Sequence, residues 1–160
     1  MELLNLTSLL SAALTLIYGF LVISFIKGWH NIKYFKPKVI EAKTKVSVIV
    51  AARDEELNIG KTIDDLVAQL YPKHLTEIII IDDHSTDKTA DIVLSYANQN
   101  VRLIKLNEAD ALNSYKKKAI QTAIGTCSGD LIITTDADCR MAENWLNTIV
   151  SFYEEGDYKM

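Results

Sequence analysis

The apolar residues of this 160-residue chain occur in two patterns. Residues 3–26 form one uninterrupted run without a charged side chain. After Lys45, short apolar runs alternate with stretches in which apolar residues recur every three or four positions. The long run is sufficient for a helix that crosses a membrane, which needs about 20 apolar residues. The alternating part predicts strands separated by amphipathic helices.

The charges that flank the long run predict its orientation in a membrane. No Lys or Arg precedes the run, whereas Lys27, Lys33, Lys36 and Lys38 follow it before the first acid, Glu41. A cleaved signal peptide has the opposite arrangement, with a positive start and a shorter apolar core. By the positive-inside rule, the chain that follows the run lies in the cytoplasm.

The pattern therefore divides the chain into three segments. We expect a transmembrane anchor at residues 1–26, a basic juxtamembrane segment at 27–45 and a cytoplasmic domain at 46–160 of a cell-membrane protein. A buried core helix of this length without any charge is uncommon. Ser and Thr residues dilute the run, but their hydroxyl groups can bond to carbonyl groups of their own helix.

Four strands are predicted in the third segment. The first, at residues 46–52, has the sequence VSVIVAA, a short β-branched run typical of a strand buried on both faces. The others are predicted at residues 77–81, 101–106 and 130–135. Apolar residues at helical spacing lie between the strands. This order indicates an α/β fold with a mostly parallel sheet and flanking helices.

Three of the four predicted strands lead directly into acidic segments, at residues 53–56, 82–85 and 136–138. In open parallel sheets, ligands bind beyond the carboxyl ends of the strands. These three segments are therefore expected to meet at one crevice.

Asp136 and Asp138 are the candidate metal ligands of that crevice. Two carboxylates spaced i, i+2 at a strand end can reach the same ion when the backbone turns. Hard oxygen ligands suit Mg²⁺ or Mn²⁺ and leave coordination positions for substrate phosphates. An isolated pair of this kind often only caps a helix. Its place in register with two other acidic strand ends favours the metal.

Asp82 and Asp83 follow four consecutive isoleucines. Adjacent carboxylates at a buried strand end repel each other unless donors or a ligand satisfy them. We expect one to orient the loop and the other to accept a hydrogen bond from a nucleobase or ribose. For Ser85, Thr86 and Asp87, helix capping is the expected role of at least two.

Composition excludes several other classes of protein. A formal net charge of −4 and a sequence pI of about 5.4 oppose a nucleic-acid-binding surface. Cys127 and Cys139 are too few for a disulfide framework and have no zinc-ligand spacing, so both are read as free thiols. No glycine-rich phosphate motif occurs, which opposes a dehydrogenase or a P-loop NTPase. The negative charge of a bound phosphate group must then be neutralised by a metal and by side chains, for which lysines such as Lys116 are candidates.

Four segments together resemble family 2 glycosyltransferases, which have the GT-A fold. They appear in the family's order: VSVIVAARDEELNI, EIIIIDDHSTDKT, SYKKKAIQTAI and GDLIITTDADC. Each segment alone is modest evidence, but four in sequence are highly specific. The resemblance covers residues 46–160 and implies that they form the nucleotide-sugar-binding half of such an enzyme.

The resemblance also implies a role for particular residues. It implies that Ala51, Arg53 and Glu55 lie near the uracil and ribose and that Asp83 contacts the base. It implies that Lys116 lies near the nucleotide. Asp136 and Asp138 would lie at the ribose and the metal-diphosphate. The family often has Asn at the position of Asp54 and usually Gly at the positions of His84 and Tyr115.

The activity implied by the resemblance is transfer of a sugar from a nucleotide-diphosphate sugar, with UDP as the expected carrier. It would proceed with a divalent metal and with inversion, onto a lipid-linked or polysaccharide acceptor. In the family a carboxylate base lies well downstream of the metal motif. Nothing after Asp138 matches it, so we expect the base beyond residue 160 and an incomplete catalytic machinery here.

Two alternatives belong to other classes. A non-catalytic, membrane-anchored nucleotide-binding module would lack the downstream base altogether. A receiver-like signalling domain also has an acidic pair after a strand. It is disfavoured because its pair follows the first strand, whereas Asp82 and Asp83 follow the second.

Overall fold

The computed structural model of the chain describes residues 2–37, 41–106 and 115–156, without the side chains of residues 2–4 and 115–119. Lys38 of the basic flank and the side chain of Lys116 lie outside the described part. The chain divides into two compact units, Met1–Lys36 and Pro37–Met160.

The first unit is one long helix, α1 (Glu2–His30). Its stretch Asn5–His30 contains an 18-residue window with a mean hydropathy of 2.3 and is long and apolar enough to cross a membrane. Core helices and signal sequences can meet the same criterion, so length and composition alone make it a candidate span. As predicted, hydroxyl groups bond to carbonyls one turn earlier, Thr15 to Ser11 and Ser24 to Phe20, both at 2.8 Å.

The second unit alternates strands and helices. Its strands are β1 (Val46–Ala52), β2 (Thr76–Asp82), β3 (Val101–Lys105) and β4 (Leu131–Asp136). Its α-helices are α2 (Ile59–Val67), α3 (Thr89–Leu94), α4 (Tyr115–Ile124) and α5 (Trp145–Glu155), with short 3₁₀ turns before β2 and before β3. All pairings in the described sheet are parallel, in the order β3-β2-β1-β4. The predicted α/β class with a parallel sheet is confirmed.

The register brings the carboxyl ends of three strands to the same level. Ala52 at the end of β1 pairs with Asp82 at the end of β2. On the other side of β1, Ala51 pairs with Asp136 at the end of β4. The pairing extends β2 and β4 one residue beyond the predicted ends, so that β2 includes Asp82 and β4 includes Asp136.

Both faces of the sheet are covered. On one face, Val48, Val50, Ile78 and Ile80 pack in a cluster with apolar residues of α2, α3 and α5. On the other face, a smaller cluster of Ile49, Ile79, Ile81 and Ala123 includes α4. This two-sided burial accounts for the continuous β-branched runs of β1 and β2. The strand ends are thereby fixed on a rigid base.

Candidate functional site

The strand order creates a crevice beside β1. The chain proceeds from β1 outward to β2 and β3, then places β4 on the opposite side of β1. Loops diverge at such a reversal, which is where open parallel sheets bind ligands. An open cleft of about 300 Å³ lies there, with this lining: Ala51, Ala52, Arg53, Glu55, Asp83, Asp136, Ala137 and Asp138.

The cleft contains every predicted site residue whose side chain is described, namely Ala51, Arg53, Glu55, Asp83, Asp136 and Asp138. Sequence reasoning placed Ala137 there only as part of the segment 136–138, and it did not assign Ala52 to the cleft. The only signal for them is that each adjoins an acidic strand end, and both are small enough to leave room for a ligand. The structure brings these residues together at one cleft. The binding role of each residue stays a prediction.

The two carboxylates at the end of β2 have different partners. Asp82 Oδ1 accepts a hydrogen bond from the backbone N–H of Ser85 at 3.0 Å, so Asp82 shapes the loop. Asp83 borders the cleft, and its Oδ1 lies 3.0 Å from Nδ1 of His84. The backbone N–H of Asp83 donates to the carbonyl of Ala52 at 2.9 Å. The expected division between a loop-orienting and a cleft-facing carboxylate is therefore present in the geometry.

The loops that follow β1 and β2 hold each other in place. Asp54 Oδ1 accepts hydrogen bonds from Thr86, from the backbone N–H at 2.7 Å and from the hydroxyl at 3.2 Å. In return, the backbone N–H of Asp54 donates to the hydroxyl of Ser85 at 3.0 Å. The expectation that at least two of Ser85, Thr86 and Asp87 cap a helix is wrong, because Ser85 and Thr86 bond to the neighbouring loop.

Asp87 joins the same bracing and also bonds to the first turn of α3. Its Oδ1 accepts the backbone N–H of Thr89 at 2.9 Å, and its Oδ2 accepts that of Glu56 at 3.0 Å. Partial burial would raise the pKa of Asp87, but these bonds and the Thr89 hydroxyl hold that pKa below its ordinary value. The backbone N–H of Glu55 donates to the Thr89 hydroxyl at 2.8 Å. Glu55 is thus held at the cleft by its backbone.

Two residues of these loops have left-handed backbone conformations. Asp54 has φ 52° and His84 has φ 60°. Asp and Asn tolerate this region better than most residues, and Gly adopts it without a steric penalty. This explains why Asn is an equivalent choice at position 54 and Gly at position 84. His84 is strained, and its ring is hydrogen-bonded to Asp83.

A group of three possible metal ligands lies at the end of β4. One ligand atom each from Asp136, Asp138 and Cys139 lies within 4.8 Å of the others. Both aspartates are exposed and Cys139 is half-buried. Two hard carboxylate oxygens fit Mg²⁺ or Mn²⁺, and a sulfur is better tolerated by Mn²⁺ than by Mg²⁺. Sequence reasoning gave Cys139 no such role, although its position beside Asp138 was visible.

The fold and the crevice define an α/β protein with an acidic ligand site at the reversal of its strand order. The chain belongs to glycosyl transferase family 2, whose family model matches residues 47–160. The resemblance read from the four sequence segments is thereby confirmed, and so is the GT-A type of fold.

Relatives and solved structures agree with this assignment. The beta-monoglucosyldiacylglycerol synthase of Nostoc sp. is 30% identical over 122 residues, covering 76% of this chain and 26% of the relative. The structure of S. aureus TarS 1–349 in complex with UDP has a TM-score of 0.62 at 30% identity, covering 69% of this chain and 32% of that one. Mannosyltransferase PcManGT from Pyrobaculum calidifontis, in complex with GDP-Man and Mn²⁺, has a TM-score of 0.69 at 26% identity, with coverages of 82% and 39%.

The chain spans about a quarter of the length of the curated relatives it matches. The matched part corresponds to the sheet and its crevice, which holds the acidic strand ends. Family membership applies to this part, and the reaction of the whole protein is inferred from it.

Proposed function

We propose that this chain binds a nucleotide-diphosphate sugar, with UDP as the carrier, for an inverting glycosyltransferase reaction. The observation that carries the proposal is the convergence of three acidic strand ends on one cleft. A site with this many carboxylates suits a ligand that brings its own cation and hydrogen-bond donors. The bound nucleotides named for TarS and PcManGT support the same class of ligand.

The nucleoside would occupy the part of the cleft nearest β1 and β2. Asp83 is largely buried, and its Oδ1 is already in contact with His84. Its second oxygen, Oδ2, is therefore assigned to an N–H of the base. Ala51, Arg53 and Glu55 would surround the uracil and ribose. Lys116, at the start of α4, is the candidate for a phosphate contact.

The diphosphate would lie beside β4. Asp138, with Asp136, would hold a divalent cation, which neutralises charge on the departing nucleoside diphosphate. In the transfer, the acceptor hydroxyl oxygen forms a bond to the anomeric carbon as the bond to the diphosphate breaks. A carboxylate base takes the hydroxyl proton. Among the described residues after Asp138, no carboxylate lines the cleft, so the proposal takes the base from outside them.

The proposed acceptor is lipid-linked or a polysaccharide, at the cytoplasmic face of the membrane. The apolar helix α1 supports a membrane location. The name of the Nostoc relative refers to a glucosylated diacylglycerol, and TarS is named a poly(ribitol-phosphate) beta-N-acetylglucosaminyltransferase. The first name refers to a lipid that carries a sugar and the second to a polymer, which supports an acceptor of lipid or polymer type.

Titration calorimetry of the complete chain in detergent tests the nucleotide assignment. UDP and GDP are titrated with and without Mn²⁺, and UDP is expected to bind more tightly, with an affinity that rises when Mn²⁺ is present. No binding of either nucleotide would refute the proposal. For the full protein encoded by the gene, nucleotide binding without any sugar transfer would instead support the non-catalytic module.

A further inference from the structure

Helix α2 and the residues just after it present a row of polar side chains to the loop between β4 and α5. The row consists of Thr62 and Asp65, which are spaced i, i+3 on one face of α2, and of Gln69, which lies two residues beyond the end of the helix. We call it the α2 polar row. All three side chains bond to backbone groups of residues 137–146, the segment that begins next to the candidate metal ligands.

Thr62 contacts the backbone on both sides of Asp138. Its hydroxyl oxygen lies 2.6 Å from the carbonyl oxygen of Ala137 and 3.1 Å from that of Cys139. A hydroxyl has one proton to donate, and the shorter distance assigns it mainly to Ala137. Thr62 is fully buried and does not line the cleft. It can therefore affect a ligand only through the loop.

The other two residues of the α2 polar row also form hydrogen bonds to the backbone of this loop. Asp65 accepts a hydrogen bond from the backbone N–H of Met141 at 3.0 Å. Gln69 donates to the carbonyl of Ala142 at 2.9 Å and accepts from the backbone N–H of Leu146 at 2.9 Å. Leu146 is in the first turn of α5, where the preceding Asn144 provides no side-chain cap. Gln69 thus caps α5 from the segment that follows α2.

The helix that carries this row is itself fixed. Ile59, Ile63 and Leu66 of α2 are buried in the core cluster against β1 and β2. Rotating or sliding α2 would expose these side chains, at roughly 25 cal/mol for each Å² of apolar surface. The loop therefore bonds to an immobile support.

We propose that Thr62 is a positioning residue for the metal site, an inference that rests on the proposed function. Asp136 and Asp138 are both exposed at the end of β4. Their separation depends on the backbone turn between them, and Thr62 holds the carbonyls of that turn. A site whose ligands are held in place before the ion arrives loses less conformational entropy on binding.

The experiment measures how much Mn²⁺ increases the affinity of the complete chain for UDP. Thr62→Val keeps the shape of the buried side chain and replaces its hydroxyl with a methyl group; Thr62→Ser keeps the hydroxyl. The matched control is Ser47→Ala, which removes another fully buried hydroxyl, bonded to Glu77 near the opposite end of the sheet. All titrations are run at a temperature where circular dichroism reports a folded protein.

Thr62→Val is expected to reduce the Mn²⁺-dependent increase about tenfold, the effect of one lost hydrogen bond on an equilibrium constant. UDP affinity without metal should change little, and Thr62→Ser and Ser47→Ala should retain the increase. If Thr62→Val does not fold, Arg140→Ala removes an exposed anchor of the same loop and should also diminish the increase.

Two results would overturn the inference while leaving the proposed function intact. One is a full Mn²⁺-dependent increase in Thr62→Val, or in Arg140→Ala where that variant replaces it. The other is an equal loss in Thr62→Val and Ser47→Ala, because that loss reflects general destabilisation. A wild-type chain whose UDP affinity does not respond to Mn²⁺ would refute the proposed metal site and this inference together.

Discussion

The guanidinium group of Arg140 forms two hydrogen bonds to the carboxylate of Asp65, Nε to Oδ2 at 2.6 Å and Nη2 to Oδ1 at 2.9 Å. Asp65 is on α2, whereas Arg140 follows the turn that carries Asp136 and Asp138. This ion pair therefore connects the helix to that turn. The bond from Arg140 lowers the pKa of Asp65, burial opposes that effect, and the N–H of Met141 adds to the lowering. Arg140 itself is well exposed, so salt will screen its charge.

This pKa shift predicts an acid-dependent loss of stability. Because the pKa of Asp65 is lower in the folded chain than in the unfolded one, the unfolded state binds a proton more readily. The stabilisation of the folded state by ionised Asp65 is complete above about pH 4, the ordinary carboxyl pKa. It is lost as the pH falls through the lower pKa of the folded chain. Asp65→Asn should therefore reduce the pH dependence of the urea midpoint below about pH 5.

Glu77 and Asp87 also have lowered pKa values. The stability of Asp65→Asn will therefore still depend partly on pH in the acid range. For Glu77, burial raises the pKa, and bonds from Ser47 and Ser128 reverse the effect. The matched control is Asp91→Asn, at an exposed position in the first turn of α3. An acid profile of Asp65→Asn identical to that of the control would contradict the assignment.

The second prediction concerns recognition of the base by Asp83. Asp83→Ala should weaken UDP binding roughly tenfold to 150-fold, since a charge-assisted hydrogen bond typically contributes about 1.5–3 kcal/mol. Asp87 has a similar charge but is unsuitable as a control, because it holds the backbone of Glu56. Asp91→Ala is suitable and should bind UDP like the wild type. Equal affinities of Asp83→Ala and Asp91→Ala in calorimetry would remove Asp83 from the site.

The third prediction separates stability from binding at His84. His84→Gly keeps the left-handed backbone but removes its steric penalty, typically about 1–2 kcal/mol for a non-glycine residue, which is partly offset by the greater entropy of unfolded glycine. The melting temperature should therefore rise. UDP affinity should fall, because the carboxylate of Asp83 loses its contact with the imidazole. A variant that binds UDP as tightly as the wild type would show that this contact does not position Asp83.

The fourth prediction concerns the orientation of the chain in the membrane. Because lysines follow the apolar run and none precedes it, a reporter fused after Lys45 should be active only in its cytoplasmic form. Moving the charge, by adding lysines after Met1 and replacing Lys27 and Lys33 with Gln, should weaken that preference. Recovery of a mature protein that begins near residue 27 would show a cleaved signal peptide instead.

Much of the fold could be predicted because the strands are buried on both faces. The run Val46–Ala52 is continuous and β-branched, and its predicted ends agree with the structure. For β2 and β4 the carboxylates Asp82 and Asp136 looked like loop residues, but parallel pairing with β1 includes them in the sheet. The convergence at the cleft followed from a general rule on strand ends, which needs no knowledge of side-chain contacts.

The contacts that hold the site could not be predicted from local patterns. Ser85 and Thr86 have the composition of a helix cap, yet their partner Asp54 lies about 30 positions earlier in the chain. Thr62 looked like an ordinary residue of an amphipathic helix, and its partners are more than 70 positions away. Each such bond depends on tertiary packing, which the spacing of residues along the chain does not encode.

The last prediction tests the metal ligands directly. Asp138→Asn keeps the shape of the side chain but removes one negative charge that would face a divalent cation. Loss of a ligand charge should weaken metal affinity by at least roughly the 10–100-fold that loss of an outer partner costs. The Mn²⁺-dependent increase in UDP affinity should therefore largely vanish in calorimetry.

Asp130→Asn is the control for Asp138→Asn, because both remove one exposed aspartate charge. Asp130 directly precedes β4, at the opposite end from the cleft, and its carboxylate accepts a hydrogen bond from the backbone N–H of Lys45 at 3.3 Å. Its loss changes the net charge equally but leaves Asp136 and Asp138 in place, so the Mn²⁺-dependent increase should persist. If Asp138→Asn responds to Mn²⁺ as fully as Asp130→Asn does, the carboxylate of Asp138 does not hold the ion, and the cation must bind elsewhere in the cleft.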